Sequence, residues 1–168
     1  MEKTKLSNNL ASPSEAALSH LSEFNGTHLS PHFTLSEFLN IDKYPDNKPT
    51  LQHVANMTYG CLMLLEPARL EVGPIIINSG YRSEEVNKAI GGVKGSNHLT
   101  GCAADIHVSG MEQLIRYAAI LLDISDESRE DFDELLLERS PRGTYWLHFA
   151  VRPSDNRRKV RLIQTSLI

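Results

Sequence analysis

The fold is decided by the stretch from residue 95 to residue 108, which reads GSNHLTGCAADIHV. Its first half is a loop of small and polar residues, and its second half, Cys102 to Val108, is an apolar run typical of a buried strand. Asp105 stands in the middle of that run. An ionised carboxylate inside a buried strand is costly unless a cation, a metal ion or several donors pair with it. The stretch therefore predicts a buried polar site on a strand.

Helices are predicted before this strand, and strands dominate after it. From Thr50 to Ala68 apolar residues recur every three or four positions, which indicates an amphipathic helix. A β-branched strand at 74–78 and a short helix at 84–90 follow. The other expected elements are a helix over 111–122, an acidic loop over 123–134, and strands near 132–138, 145–151 and 159–163. Short links between the later strands favour an α+β domain with a mainly antiparallel sheet flanked by helices.

The first 31 residues differ in composition from the rest of the chain. They are rich in Ser, Asn and Thr, and only Ser12, Pro13 and Glu15 give a helix-start signal there. Thr34 to Glu37 repeats that signal before a brief helix, Leu35 to Leu39. We therefore expect a polar appendage over residues 1–31 and the main domain over residues 32–168.

Composition excludes several classes of protein. The 168 residues carry a net charge of −4 with an isoelectric point near 6.0, so nothing global attracts the chain to nucleic acid. No run of 18 apolar residues and no signal peptide are present in the sequence, which predicts no membrane insertion and a cytoplasmic location as synthesised. The two cysteines, Cys61 and Cys102, are too few for a disulfide framework or a Cys-rich zinc site. Metal ligands, if any, are therefore His, Asp or Glu.

Two strands can bring three such ligands together. Alternation places Asp105 on one face of its strand with Ala103 and His107, and places His148 beside Trp146 on one face of the strand 144–150. If these faces look the same way, His98, Asp105 and His148 converge. Two imidazoles and one carboxylate suit zinc and leave a fourth position open for water. The alternative is structural: Asp105 meets Arg82, and His148 is an ordinary hydrogen-bonded strand histidine.

A catalytic metal site also needs a general base, and Glu138 is the candidate. It ends the run before His148 and is ten residues from it. A β-hairpin that turns at Pro141-Arg-Gly143 would bring the two strand ends together. Glu134 is the reserve candidate, since residues four apart on a strand share a face.

Several strings along the chain together resemble the zinc D-Ala-D-Ala metallopeptidase family, whose members cut peptidoglycan peptides. The strings are SGYRS at 79–83, S-x-H at 96–98 followed by Asp105, and W-x-H at 146–148. The resemblance spans roughly residues 33–150 and implies the fold that this family shares with the Hedgehog signalling domain. The segments FTLSEF at 33–38 and EPAR at 66–69 are similar to the branch common in phages and prophages.

Carried over residue by residue, the resemblance implies a Zn²⁺ ion held by His98, Asp105 and His148, with Glu138 as the acid and base. In related dipeptidases the base lies only three residues before the last histidine, so the longer spacing here makes the hairpin register decisive. The resemblance also implies roles on the substrate. These fall to Arg82, facing the substrate carbonyl or carboxylate, and to Ser96 and Trp146.

The implied activity is zinc-dependent hydrolysis of peptidoglycan stem peptides, of the D-Ala-D-Ala carboxypeptidase or L-Ala-D-Glu endopeptidase type. The enzyme is expected to be a monomer and to reach the cell wall after lysis or by phage delivery. The alternative is a non-catalytic zinc-containing binding or phage structural module of the same fold.

Overall fold

The computed structural model describes residues 26–164, which form helices and one five-stranded sheet. The predicted helix near Ser12 lies outside the described residues. The helices are α1 (Leu35–Leu39), α2 (Leu51–Gly60), α3 (Glu66–Val72), α4 (Glu84–Ala89) and α5 (Met111–Ser128). A π-helical turn, Cys61–Leu65, joins α2 to α3, so the predicted amphipathic helix is one helical segment that runs to residue 72.

Helix α5 is longer than the sequence predicts. The acidic stretch after residue 122 suggested a solvated loop, but the helix continues through half of it, to Ser128. Ser125 is buried at 1 % exposure, and its hydroxyl donates to the carbonyl oxygen of Glu130 at 2.6 Å. The last turn is therefore held from one side by packing while its carboxylates face solvent.

Five strands form one sheet in the order β1-β2-β4-β3-β5. Their bounds are β1 (Ile77–Ser79), β2 (Ala103–His107), β3 (Glu134–Arg139), β4 (Tyr145–Ala150) and β5 (Lys159–Gln164). Three neighbouring pairs are antiparallel, and β3 with β5 is parallel. The α+β class is confirmed, and the sheet is mixed rather than purely antiparallel.

The predicted hairpin joins β3 to β4. The amide of Gly143 donates to the carbonyl oxygen of Ser140 at 3.0 Å, and Gly143 has φ +87°, a conformation that favours glycine. The hairpin pairs Glu138 with Trp146 and Leu136 with His148. Because paired residues share a face, this register sets Glu138 and His148 on the same side of the sheet.

The two faces of the sheet differ in character. One face is apolar and packs as part of the core against α5, which in turn contacts α3 and the π-helical turn. Its most buried residues are Ala104, Ile106, Leu135, Leu147 and Phe149. The other face carries Asp105, His148 and Glu138, so the polar groups of the central strands lie together on one surface.

Candidate metal centre and active site

Three side chains meet on the polar face of the sheet. His98 Nε2 lies 3.2 Å from Asp105 Oδ1 and 3.2 Å from His148 Nδ1, and His148 Nδ1 lies 2.9 Å from Asp105 Oδ1. All three residues are buried, with exposed fractions of 2 % for His98, 8 % for Asp105 and 6 % for His148. The structure thus brings together the three residues that the sequence nominates, and they could hold a metal ion.

The spacing of these atoms suits a small tetrahedral cation. Zinc binds imidazole nitrogen and carboxylate oxygen at about 2.0–2.2 Å, so tetrahedral ligand atoms are separated by about 3.3 Å. The observed separations of 2.9–3.2 Å are close to that value without rearrangement of the backbone. Three protein ligands leave one corner free, which is the arrangement of catalytic rather than structural zinc sites.

His98 is oriented by its second nitrogen. Its Nδ1 lies 2.5 Å from the carbonyl oxygen of Gly80, so Nδ1–H donates there and Nε2 is left to face the cluster. A short 3₁₀ helix, Asn97–Thr100, carries His98, and the Ser96 hydroxyl caps it by accepting from the His98 amide at 3.3 Å. Ser96, predicted to contact substrate, is therefore also a capping residue.

Arg82 contacts the cluster directly. Its guanidinium donates to Asp105 Oδ2 at 2.6 Å and to Ser79 Oγ at 3.0 Å. The pairing of Asp105 with Arg82, considered above as an alternative to metal binding, occurs together with the histidine cluster. Arg82 uses one carboxylate oxygen, and the histidines contact the other.

Glu138 is half-buried on the same face. Burial raises the pKa of its carboxyl group above the ordinary value, while the positive charges of His148 and Arg82 partly oppose that rise. A carboxyl group with a raised pKa is suited to accept and return a proton near neutral pH. Trp146 is its cross-strand partner and is half-buried on the same face of the sheet.

The charges within the cluster are strongly coupled. Burial alone would raise the pKa of Asp105, but His98 and His148 outweigh it and hold that pKa far below its usual range. Burial would likewise lower the pKa of His148, but its hydrogen bond with Asp105 and the nearby carboxylate of Glu134 raise it to about 9. His98, by contrast, has a lowered pKa because it is almost fully buried. A divalent cation at this place would take over from the proton of His148 in balancing the negative charge of Asp105.

Glu134, the reserve base candidate, lies on the far side of the His148 ring from the other two candidate ligands. Its Oε2 is 3.7 Å from Nε2 of His148, on the side of the ring away from the cluster, and its Oε1 accepts from Lys159 at 2.7 Å. The contacts with His148 and Lys159 lower the pKa of Glu134 despite partial burial. This carboxylate therefore faces the back of a candidate ligand rather than the open corner.

Sequence reasoning missed the polar support behind the cluster. Asp133 has a fully buried side chain that accepts from Asn97 at 2.7 Å and from the Nε of Arg157 at 2.8 Å, and it pairs with Arg152 at 3.0 Å. Arg152 and Arg157 lie in the basic segment between β4 and β5. The available signal was the pair Asp133-Glu134 at the start of an apolar strand, matched by basic residues that follow the next strand.

Comparison with known proteins assigns the chain to a family. The family model for Peptidase M15 matches residues 31–130, which is more than half of the 168 residues. The chain therefore belongs to the Peptidase M15 family, in agreement with the resemblance drawn from its motifs. No curated protein matches the sequence at a significant level.

The family match and the candidate site overlap only in part. His98 and Asp105 lie within the matched residues, whereas Glu138 and His148 lie beyond residue 130.

Among residues 26–164, none of the helices combines the length and the apolar character that a membrane span requires.

Proposed function

We propose that this protein is a zinc-dependent peptidase that hydrolyses peptide bonds in peptidoglycan stem peptides. The observation that carries the proposal is the buried trio of His98, Asp105 and His148, spaced as zinc ligands, with the half-buried carboxyl of Glu138 on the same face. Membership of a peptidase family supports hydrolysis of peptides, and the motif resemblance supports the cell-wall substrate.

Zinc held at such a site supplies Lewis acidity, which polarises a peptide carbonyl and makes a water molecule acidic near neutral pH. Glu138 takes the proton of the attacking water and delivers it to the nitrogen of the leaving amine. Its raised pKa supports this double role, because a more basic carboxylate accepts the proton readily and a neutral carboxyl group can return it. Arg82 donates to the carbonyl oxygen as negative charge develops there.

A small cavity beside Arg82 supports binding of a substrate residue next to the reacting bond. It has a volume of about 170 Å³ and its lining includes Arg82, Ser79, Lys43 and Tyr44. Two cationic side chains in this lining favour a segment of substrate that carries a carboxylate. Trp146 is half-buried on the same face of the sheet as Glu138, and its ring offers an apolar surface for the substrate chain. Stem peptides combine small apolar residues with free carboxylates. The cationic cavity suits the carboxylates, and the ring of Trp146 suits the apolar residues.

Digestion of purified peptidoglycan tests the proposal. The zinc-loaded full chain should release fragments whose masses identify the bond that is cut, and a chelator should stop their release. Glu138→Gln should keep the bound zinc and the melting temperature but lower turnover by about 10³-fold or more, because the proton carrier is gone.

Glu127→Gln is a matched control, since it removes an exposed carboxylate on α5 and should leave turnover unchanged. Absence of cleavage by a zinc-loaded, folded chain would contradict the proposal and favour a non-catalytic module. Unchanged turnover in Glu138→Gln would assign the base to another residue.

A further inference from the structure

The two ring nitrogens of His148 have different surroundings. Nδ1 faces the cluster, 2.9 Å from Asp105 Oδ1 and 3.2 Å from His98 Nε2. Nε2 points away from it, and the acidic atom beside it is Glu134 Oε2 at 3.7 Å. A neutral imidazole that offers Nδ1 to a metal must carry its proton on Nε2. The far nitrogen therefore needs an acceptor, and Glu134 is the carboxylate in place.

Sheet register fixes this relationship. His148 pairs with Leu136, and Glu134 pairs with Ala150, so Glu134 and His148 are diagonal neighbours on the same face of adjacent strands. Diagonal neighbours in an antiparallel pair are within reach of long side chains. The present separation of 3.7 Å is an ion-pair distance, and a small rotation of the carboxylate would close it to a hydrogen bond.

Basic groups hold Glu134 from its other side. Oε1 of Glu134 accepts from Lys159 Nζ at 2.7 Å and lies 3.1 Å from a guanidinium nitrogen of Arg157. Lys159 begins β5 and is the cross-strand partner of Glu134 in the parallel pair. The side chain of Glu134 is only 14 % exposed, so its position is set by these partners rather than by solvent.

The same carboxylate also reaches the segment that carries His98. The side-chain amide of Asn97 donates to Glu134 Oε2 at 3.2 Å and to Asp133 Oδ2 at 2.7 Å. Asn97 immediately precedes His98 and begins the short 3₁₀ helix. One acidic pair at the start of β3 thus connects the turn that bears the first histidine with the strand that bears the second.

We propose that Glu134 is a positioning residue for the metal centre, that it accepts the Nε2–H of His148, and that Lys159 and Arg157 hold it there. A carboxylate behind a metal-bound histidine fixes the tautomer and ring orientation and makes the ligand more basic. The parallel strand β5 thereby supports the site, because its first residue, Lys159, holds Glu134. The inference rests on the proposed function, because it takes His148 as a metal ligand.

Zinc affinity of the full chain, measured by competition with a chromophoric chelator, is the principal test. Glu134→Ala should weaken zinc binding about 10- to 100-fold, as loss of such a partner does elsewhere. Glu134→Gln retains an acceptor oxygen and should recover most of that loss. Lys159→Met leaves Glu134 in place without its main anchor and should weaken binding by a smaller factor. Glu138→Gln, on the same strand, serves as the control and should bind zinc as tightly as the unmodified chain.

A second readout comes from nitrogen-15 NMR of the zinc-loaded protein. The Nε2–H proton of His148 should resonate downfield and exchange slowly with water, and Glu134→Ala should abolish that protection. If Glu134→Ala does not fold, Lys159→Met carries the same comparison.

The outcomes separate the inference from the proposed function. A folded, unmodified chain that takes up no zinc would defeat the proposed function itself. Normal zinc binding in the unmodified chain, with an equal affinity in Glu134→Ala and Lys159→Met, would defeat only the inference. Loss of turnover in Glu134→Ala at unchanged zinc affinity would also overturn it, because Glu134 would then be the base.

Discussion

Asp105 and His148 are direct cross-strand partners in β2 and β4, and Nδ1 of His148 lies 2.9 Å from Oδ1 of Asp105. Two candidate ligands separated by 43 residues are thus fixed by one rung of a central sheet ladder. The third, His98, is held through the carbonyl oxygen of Gly80 at the end of β1. Sites built on strands in this way are more rigid than sites built on loops.

Replacement of Arg82 by lysine tests whether turnover depends on the planar shape of the guanidinium or only on its positive charge. Arg82→Lys keeps a cation but loses the planar fork that contacts Asp105 and Ser79 together. We expect kcat to fall about 10²- to 10³-fold while zinc remains bound, because a donor to the developing oxyanion is displaced. Steady-state kinetics and zinc analysis of the same sample measure both effects.

Arg116→Lys is the control for Arg82, since Arg116 is exposed on α5 and pairs only with Glu112 among the contacts described. An unchanged kcat in Arg82→Lys would restrict Arg82 to ordering the loop beside Ser79.

A methyl group at Gly80 should disturb both stability and the metal centre. A Cβ there would lie 2.8 Å from Cα and 2.7 Å from Cβ of Phe38, so α1 and the end of β1 would have to separate. We expect Gly80→Ala to lower the free energy of unfolding by about 1–3 kcal/mol. Because the Gly80 carbonyl oxygen orients His98, zinc affinity should fall as well.

Gly110→Ala supplies the comparison for Gly80, because an added Cβ at Gly110 meets no atom within 4 Å. Denaturant unfolding and chelator competition measure the two variants. Equal effects of the two substitutions would show that the close approach to Phe38 is unimportant.

The buried carboxylate of Asp133 predicts a dependence of stability on pH. Burial alone would raise its pKa, but hydrogen bonds from Arg157 and Asn97 outweigh burial and lower it. A lowered folded-state pKa stabilises the fold at pH values above the unfolded-state pKa of about 3.9, and that contribution is lost as pH falls through the folded-state value. Asp133→Asn should therefore cost about 2 kcal/mol at pH 7 and progressively less in strong acid.

Urea unfolding of both chains across this pH range measures the difference for Asp133. Asp131→Asn, which removes an exposed carboxylate paired with Arg158, should have a much smaller effect. A constant cost of Asp133→Asn at every pH would contradict ionisation as the cause.

Local patterns in the sequence predicted the main elements, whereas the convergence of His98, Asp105 and His148 also depended on the resemblance to a known family. Strict alternation around Asp105 and His148 set the side of the strand on which each lies, and the turn at Pro141-Arg-Gly143 set the hairpin. These are short-range signals, because the face of a strand residue follows from its parity. The roles of the individual site residues stay predictions.

Contacts between residues far apart in the chain could not be predicted from the sequence. The alternation of β5 identifies a strand but not its neighbour, so the parallel pairing with β3 and the contact of Lys159 with Glu134 were not predicted. Helix α5 overran its expected end because one buried residue, Ser125, holds its last turn. The pairing of the exposed His32 with Glu66, 34 residues away, is likewise a long-range contact that the sequence does not indicate.

The proposed boundary at residue 32 and the assignment to a phage-type branch also stay predictions. Leu29, which precedes that boundary, is buried at 4 % exposure and packs with the core. The segment just before residue 32 therefore contributes to the packed domain, whatever the arrangement of the chain before residue 26.

Native mass spectrometry of the full chain after incubation with zinc is the most direct measurement of the central claim. One zinc ion should be bound per chain, and Asp105→Ala should lose it because one of three ligands is gone. A folded chain that remains metal-free under these conditions would contradict a zinc centre at His98, Asp105 and His148.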